Sequence, residues 1–341
     1  MRRFLLSPVV LLLLVGVYDR IAAQPPPDEK VRQDTSTRLL LRIYDDNDCF
    51  DLRGGGTDDA YTNGTRIDVF YRLPHPARGF INKILPKAGD SSINIYGWGI
   101  MQLMFTPEDL SEPAYQPNDY PWSGALLAAH TLYSYNPAKK FDLQTELLLG
   151  VIGPASLASQ TQTLIHRVEN YPLPMGWGHQ FHDDLLLNIN FTAEKQLAAL
   201  GSTVEVIGGS QLCLGTMRNS LALYPLIRIG LMTPYFQGYL SQYSSSRRKW
   251  QAYFLLKPQG ELILTNALLE GGVFTGNPNI KNDKGPTLPY HALSRMVYSM
   301  DYGAVVSNGN FSVSFTQNAS SAMMKGLYSH SIGNISLYFG W

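Results

Sequence analysis

The chain has 341 residues, and its 27 lysines and arginines are balanced by 27 aspartates and glutamates. Zero net charge leaves no electrostatic footprint for a nucleic-acid partner. Mean hydropathy near zero, with no long apolar run after the N-terminal segment, excludes a helical membrane protein.

At the start, Arg2 and Arg3 precede Phe4-Leu5-Leu6 and an apolar run from Val9 to Val17, and Ile21-Ala22-Ala23 sets small residues before Gln24. This order reads as a secretory signal peptide over 1–23, with 24–341 forming one domain outside the cytoplasm. Period-two patterning follows. Leu39, Leu41 and Ile43 alternate with Leu40, Arg42 and Tyr44, and Ile67, Val69 and Tyr71 alternate with Asp68, Phe70 and Arg72. Ile93, Ile95, Met101, Leu103 and Phe105 stand opposite Asn94, Tyr96 and Gln102, and Phe105–Ser123 then reads as a long loop rich in Pro, Glu and Asp. A strand is expected near Lys140–Leu149.

Ala155–Val168 breaks the pattern. After Gly153-Pro154 it reads as a helix, capped by Ser156 or Ser159 and closed off by Pro172 and Pro174. Leu157, Leu164, Ile165 and Val168 fall on one stripe, while Gln162 and His166 share another face. Between strands, such a helix is expected in an extracellular loop, lying on the rim. Further strands are expected at Leu185–Ala193, Ser202–Val206, Pro225–Met232, Gln251–Leu256, Glu261–Leu269 and Met296–Val306, each bounded by Gly, Pro, Asn or Ser. Phe311, Val313 and Phe315 alternate cleanly with serines and Thr316. The last strand sets Ile335, Leu337, Phe339 and Trp341 on one face against Ser336, Tyr338 and Gly340 on the other.

A soluble β-sandwich shares this period. The terminal aromatic, the secretory start, twenty tyrosines for interface girdles and about a dozen strands together favour an all-β, transmembrane antiparallel barrel of twelve strands in the outer membrane. Other features carry less. Gly54-Gly55-Gly56 lacks the Lys-Ser/Thr of a phosphate loop, and Arg247-Arg248-Lys249 reads as a solvated loop tip with a minority reading as a lipid-phosphate contact. His179-x-x-His182-Asp183-Asp184 reads as structural before it reads as a transition-metal site. Cys49 and Cys213 are too few for a disulfide framework, and Cys49 reads as a buried neutral thiol.

Several motifs occur in a fixed order: Tyr44-Asp45-Asp46-Asn47-Asp48, Asp59-Ala60-Tyr61-Thr62-Asn63-Gly64, Gln102 with Phe105-Thr106-Pro107, and Gly150-Val151-Ile152-Gly153-Pro154. Gln162-x-x-x-His166 and Gly176-Trp177-x-His179-Gln180 continue the set. In these the chain resembles the outer-membrane lipid A 3′-O-deacylases, from residue 44 to residue 180. The resemblance implies a twelve-stranded barrel with a Ca²⁺-dependent esterase site between the wall and a loop helix. It implies removal of the 3′-acyloxyacyl group from lipid A. Asn47, Asp48, Thr62, Gln162 and His166 match the family's site positions.

The chemistry of those side chains suits ester hydrolysis. His166 could take a proton from water, the role imidazoles most often play in hydrolysis. Asp48, with Asn47 or nearby carbonyls, offers the hard oxygens that Ca²⁺ takes, and the ion would polarise the ester carbonyl. Gln162 would orient substrate or water, and Thr62 would donate a hydrogen bond or support the metal. No G-x-S-x-G elbow is present, which favours water as nucleophile. Two departures stand out: Tyr171-Pro172-Leu173-Pro174 replaces the stretch with the family's acidic residue, and the lysine-rich loop of a relative is here Glu108-Asp109-Leu110-Ser111-Glu112. The expected partners are lipid A and the outer membrane, with the protein a monomer. The alternative is a catalytically silent barrel, a pore or structural wall protein on the same scaffold.

Overall fold

The computed structural model describes residues 39–52, 59–73, 79–240, 250–278, 281–282, 285–286 and 291–341. The signal segment, the triple-glycine stretch and Arg247-Arg248-Lys249 lie outside those residues. Twelve antiparallel strands close into one barrel. In chain order they are β1 (Leu39–Asn47), β2 (Ala60–Tyr71), β3 (Ile93–Thr106), β4 (Ser123–Asn136), β5 (Phe141–Ile152) and β6 (Asp184–Leu200). The second half comprises β7 (Val204–Gly215), β8 (Arg218–Leu231), β9 (Trp250–Asn266), β10 (Met296–Asn308), β11 (Phe311–Ser320) and β12 (His330–Gly340). Each pairs with its sequence neighbours, and β1 closes on β12 from Leu40 opposite Gly340 to Asn47 opposite Gly333. Among the described residues three α-helices accompany the barrel: α1 (Phe80–Ile84), α2 (Ala158–Glu169) and α3 (Ala267–Glu270).

Strand parity is turned inside out relative to a soluble barrel. Trp98, Ile100, Leu187, Leu223, Phe254 and Tyr298 are exposed on the outer wall, where lipid takes the place of water. The lumen holds charges that pair with one another. Arg42 and Arg66 both reach Asp68, Arg66 also meets Glu146 at 2.6 Å, and Arg228 meets Glu205 at 2.7 Å. In a low-dielectric interior such ions persist only because every one finds a partner. The closing strand follows the expected parity: Ser336 and Tyr338 are buried, while Phe339 and Trp341 face out.

The count of twelve agrees with expectation, but two strands differ. β4 carries no alternation in its sequence, because α1 and α2 cover parts of its outer face and nearly every residue is buried. β9 runs unbroken through Pro258-Gln259-Gly260, where the sequence pattern suggests a break. Its ladder to β8 is interrupted between the Leu223–Gly260 and Ile227–Leu256 pairs, and Pro225 and Pro258 sit in that gap. There the missing N–H of each proline costs no bond to the facing strand. Ala267–Glu270 forms α3 rather than a strand end.

Both ends of the lumen are filled. At the loop-bearing end, Leu268 and Leu269 of α3 pack with Leu103, Phe105, Leu127 and Leu186. At the end bearing the termini, Tyr235, Phe236, Tyr239 and Leu240 pack against Leu40 and Tyr135. A polar cavity of about 480 Å³, lined by Arg42, Asp46, Arg228, Lys257 and Asp301 among others, lies between.

Candidate active site on the outer wall

The loop after β5 builds the helix that carries Gln162 and His166. Gly153 turns the chain with φ 97°, and a Cβ there would lie 2.6 Å from the Asp183 nitrogen, so only glycine fits. Ser156 donates its hydroxyl to the Gly153 carbonyl at 2.6 Å, and Gln102 of β3 donates to the Ser156 carbonyl at 2.7 Å. α2 then starts at Ala158 rather than Ala155, with Leu157 at the N-cap in left-handed conformation and no side-chain cap. Leu157, rather than Ser156 or Ser159, takes the N-cap position, while the Ser156 hydroxyl donates to the Gly153 carbonyl and its oxygen accepts from Ala158 N at 3.4 Å. Asn170, also left-handed, ends the helix as asparagine tolerates.

The helix packs on the outer side of the wall where β4 begins and β3 ends, at the loop-bearing edge of the barrel. Gly124 makes the approach possible, since a Cβ there would sit 2.2 Å from the Ala158 Cβ. Met104, Leu110, Trp122, Ala158 and Trp177 form the apolar seam beneath. The polar face is turned inward: Gln162 is 4 % and His166 5 % exposed, whereas Leu164 is 64 % and Val168 79 % exposed. On an aqueous surface this orientation would be upside down; in lipid it is the favourable one.

Two bonds orient the inward pair. Trp177 Nε1 donates to Gln162 Oε1 at 2.7 Å, which turns the amide NH₂ the other way. His166 Nδ1 lies 2.6 Å from the Pro172 carbonyl. A carbonyl only accepts, so Nδ1 carries the proton and the neutral ring's lone pair sits on Nε2. Tyr171 meets the ring edge-on at 5.7 Å.

The other three site residues sit at the loop-bearing end of β1 and β2. Asn47 closes β1 opposite Asn63, and Asn63 lies opposite Met104, itself opposite Gly124. One lateral row thus runs from Asn47 to the foot of α2. The Asn47 amide oxygen accepts from Cys49 N at 2.9 Å and starts a single helical turn, Asp48–Phe50. Asp48 is buried and its Oδ2 accepts from Asp59 N at 3.0 Å. A bulge between Tyr61 and Asn63 brings Thr62 to Thr106, hydroxyl to hydroxyl at 2.6 Å. The Asp48–Phe50 turn packs against β12 and α2 against β3 and β4, and between them, at the loop-bearing end of β1–β3, lie the polar residues Asn47, Asn63, Thr65 and Gln102, with the apolar Ile67, Val69, Trp98 and Ile100 farther along the wall.

The model of the family described as outer membrane protein LpxR matches residues 7–341. The chain belongs to the LpxR family. LpxR from Salmonella typhimurium superposes with a TM-score of 0.68 at 15 % identity, over 89 % of this chain and 100 % of that one. At that identity the likeness concerns the fold. The β domain of the Bordetella autotransporter BrkA, at TM-score 0.41 and 7 % identity over 89 % of this chain and 99 % of that one, is a more distant barrel. Among curated proteins none matches by sequence. LpxR family membership sets the barrel in the bacterial outer membrane and supports a lipid A deacylase role.

The remaining motifs serve the LpxR scaffold. His179 Nε2 contacts the Pro113 carbonyl, Asp183 accepts from Ala155 N, and Asp184 accepts from Phe274 N and Thr275 N, so this run ties loops together. Cys49 is exposed rather than buried, because its one-turn helix ends at the surface. The acidic loop packs beside the site through Leu110, whose carbonyl accepts from Met175 N. Nearby, burial pushes the Tyr120 and Tyr328 phenols above their usual range, and the Asp119 carboxylate facing Tyr328 adds to it. Trp177, Thr106 and Gln102 were not singled out for roles from the sequence, although all three fall inside the ordered motifs. Their spacing alone does not say which side chain they hold.

Proposed function

We propose that the protein hydrolyses an acyl ester of lipid A, the 3′-acyloxyacyl group, at the strip between α2 and the Asp48–Phe50 turn. One observation carries this reading: α2 presents its polar Gln162/His166 face to the wall and its apolar face to lipid. Such a helix builds a polar slot at membrane level, where an ester joining a sugar to fatty chains would lie. A structural strut has no use for a buried histidine aimed at the wall.

His166 accepts a proton from water at Nε2 while its Nδ1–H stays on the Pro172 carbonyl. The hydroxide equivalent adds to the ester carbonyl, and the tetrahedral intermediate collapses as the leaving oxygen takes the proton back from the imidazolium. Gln162, its oxygen held by Trp177, directs its NH₂ to the reacting carbonyl. Thr62 sets the opposite edge through Thr106. The donors near Asp48 are oxygens, the chemistry of a hard cation such as Ca²⁺. Among the described residues no group of three or more His, Cys, Asp or Glu is arranged for a metal. Beside Asp48, the ion would take oxygens such as those of Asn47, Thr62, backbone carbonyls or substrate. When bound, the ion supplies Lewis-acid polarisation of the ester.

The filled ends of the lumen argue against a pore, and a barrel closed by its own twelve strands needs no second copy to complete its wall. The test is a mass spectrum of lipid A from cells with and without the protein. Loss of an acyloxyacyl mass in its presence is expected; identical spectra from cells holding folded protein would refute the reading.

A further inference from the structure

Ala60 opens β2 with φ 50°, a left-handed conformation disfavoured on the order of tenfold for an L-residue. It is fully buried and lies between two residues tied to one ring. His330, at the start of β12, sets Nδ1 3.0 Å from Asp59 Oδ1 and Nε2 2.9 Å from the Tyr61 carbonyl. A single imidazole thus spans the strained residue from its preceding side chain to its following carbonyl. Both partners are acceptors, the Asp59 carboxylate facing Nδ1 and the Tyr61 carbonyl facing Nε2, so the ring is held from two sides. Strain of this kind persists only where the surroundings over-determine it.

What the staple holds is the link between two halves of the proposed site. Asp59 N donates to Asp48 Oδ2, and two residues beyond Ala60 the bulge delivers Thr62 to Thr106. Were Ala60 to relax to an ordinary extended conformation, the Asp59 N–H would swing away from Asp48 and the bulge would lose its setting. We infer that His330 is a positioning residue, stapling the strained entry to β2 so that Asp48 and Thr62 are held in register across the site. The inference rests on the hydrolytic reading above only for its consequence in catalysis; the staple itself is a statement about the backbone.

The test uses the folded full-length barrel in detergent, with amide hydrogen exchange over residues 59–62 and fatty-acid release from purified lipid A as separate readouts. His330→Ala should speed exchange of the Asp59 amide by about tenfold, and lower kcat by a similar factor with KM within about twofold. Adding Ala60→Gly removes the left-handed penalty, so the double variant should recover most of both losses. Simple loss of packing would not be rescued by deleting a methyl group. If His330→Ala does not fold, Asp59→Asn, which weakens only the Nδ1 partner and keeps the backbone N–H, is read the same way. Unchanged exchange in a folded variant, or failure of Ala60→Gly to restore it, overturns the staple. Altered and rescued exchange in a protein that releases no fatty acid keeps the staple and instead sinks the hydrolytic reading.

Discussion

Replacing Gly124 by alanine tests whether the seat of α2 on the wall organises the site. The new Cβ would lie 2.2 Å from the Ala158 Cβ and 2.7 Å from Ser156 Oγ. Carbon pairs rest about 3.5–4.0 Å apart, so the first turn of the helix must retreat by roughly 1.5 Å. Gln162 and His166 follow one and two turns later on the same rigid element and move with it. A misplacement near 1 Å costs on the order of a hundredfold in rate. The barrel should be untouched, because Gly124 points outward and alanine is no worse than glycine inside a strand. Gly124→Ala should therefore keep heat-modifiable gel mobility while fatty-acid release from lipid A falls about a hundredfold. Gly178→Ala is the control, since nothing lies within 4 Å of its Cβ position in the neighbouring loop. Near-normal turnover by Gly124→Ala would show that close packing of the helix on β4 is not what assembles the site.

His166→Ala should fold normally and lose on the order of a hundredfold or more in hydrolysis, and His166→Gln nearly as much, because glutamine cannot take the proton. His179→Ala should lose far less, and the reverse ranking in a fatty-acid release assay would move the base to the Trp177–Asp184 loop. Exhaustive chelation should abolish hydrolysis and Ca²⁺ restore it, with Mg²⁺ a poor substitute because it holds its waters in a tighter octahedral shell; full activity after chelation would refute the metal's role. In planar bilayers the inserted barrel should show no steady conductance, given the packed lumen ends, and stable open channels would revive the pore reading.

Much of the architecture was legible because lipid and lumen impose opposite demands on alternate residues. That alternation survives wherever one face of a strand meets lipid and the other meets the polar interior, as in Ile67–Asp68–Val69 and Phe311–Ser312–Val313. It vanishes in β4, whose outer face is covered by helices, and periodicity does not reveal that strand. The split of β9 restores the count of twelve, since a proline and a glycine in mid-strand look like a turn until the gap beside Pro225 is seen. The site was legible as an ordered set of motifs. Its helix pair was also readable from spacing alone, because residues four apart share a face.

The sequence by itself determined the class of fold, the outward aromatic face of the closing strand and the pairing of Gln162 with His166 on one side of a helix. It could not say which way that helix faces, because the period of an amphipathic helix is the same whether its apolar stripe meets a core or a bilayer. Only the tertiary structure decided that α2 lies outside the barrel with Leu164 and Val168 exposed and Gln162 and His166 against the wall, seated where Gly124 leaves room. Nor could the sequence connect His330 with the Tyr61 carbonyl, 269 positions away in the chain, which it meets only because β12 closes the barrel next to β1. Contacts made by closure depend on register around the whole circle, and no local pattern records them.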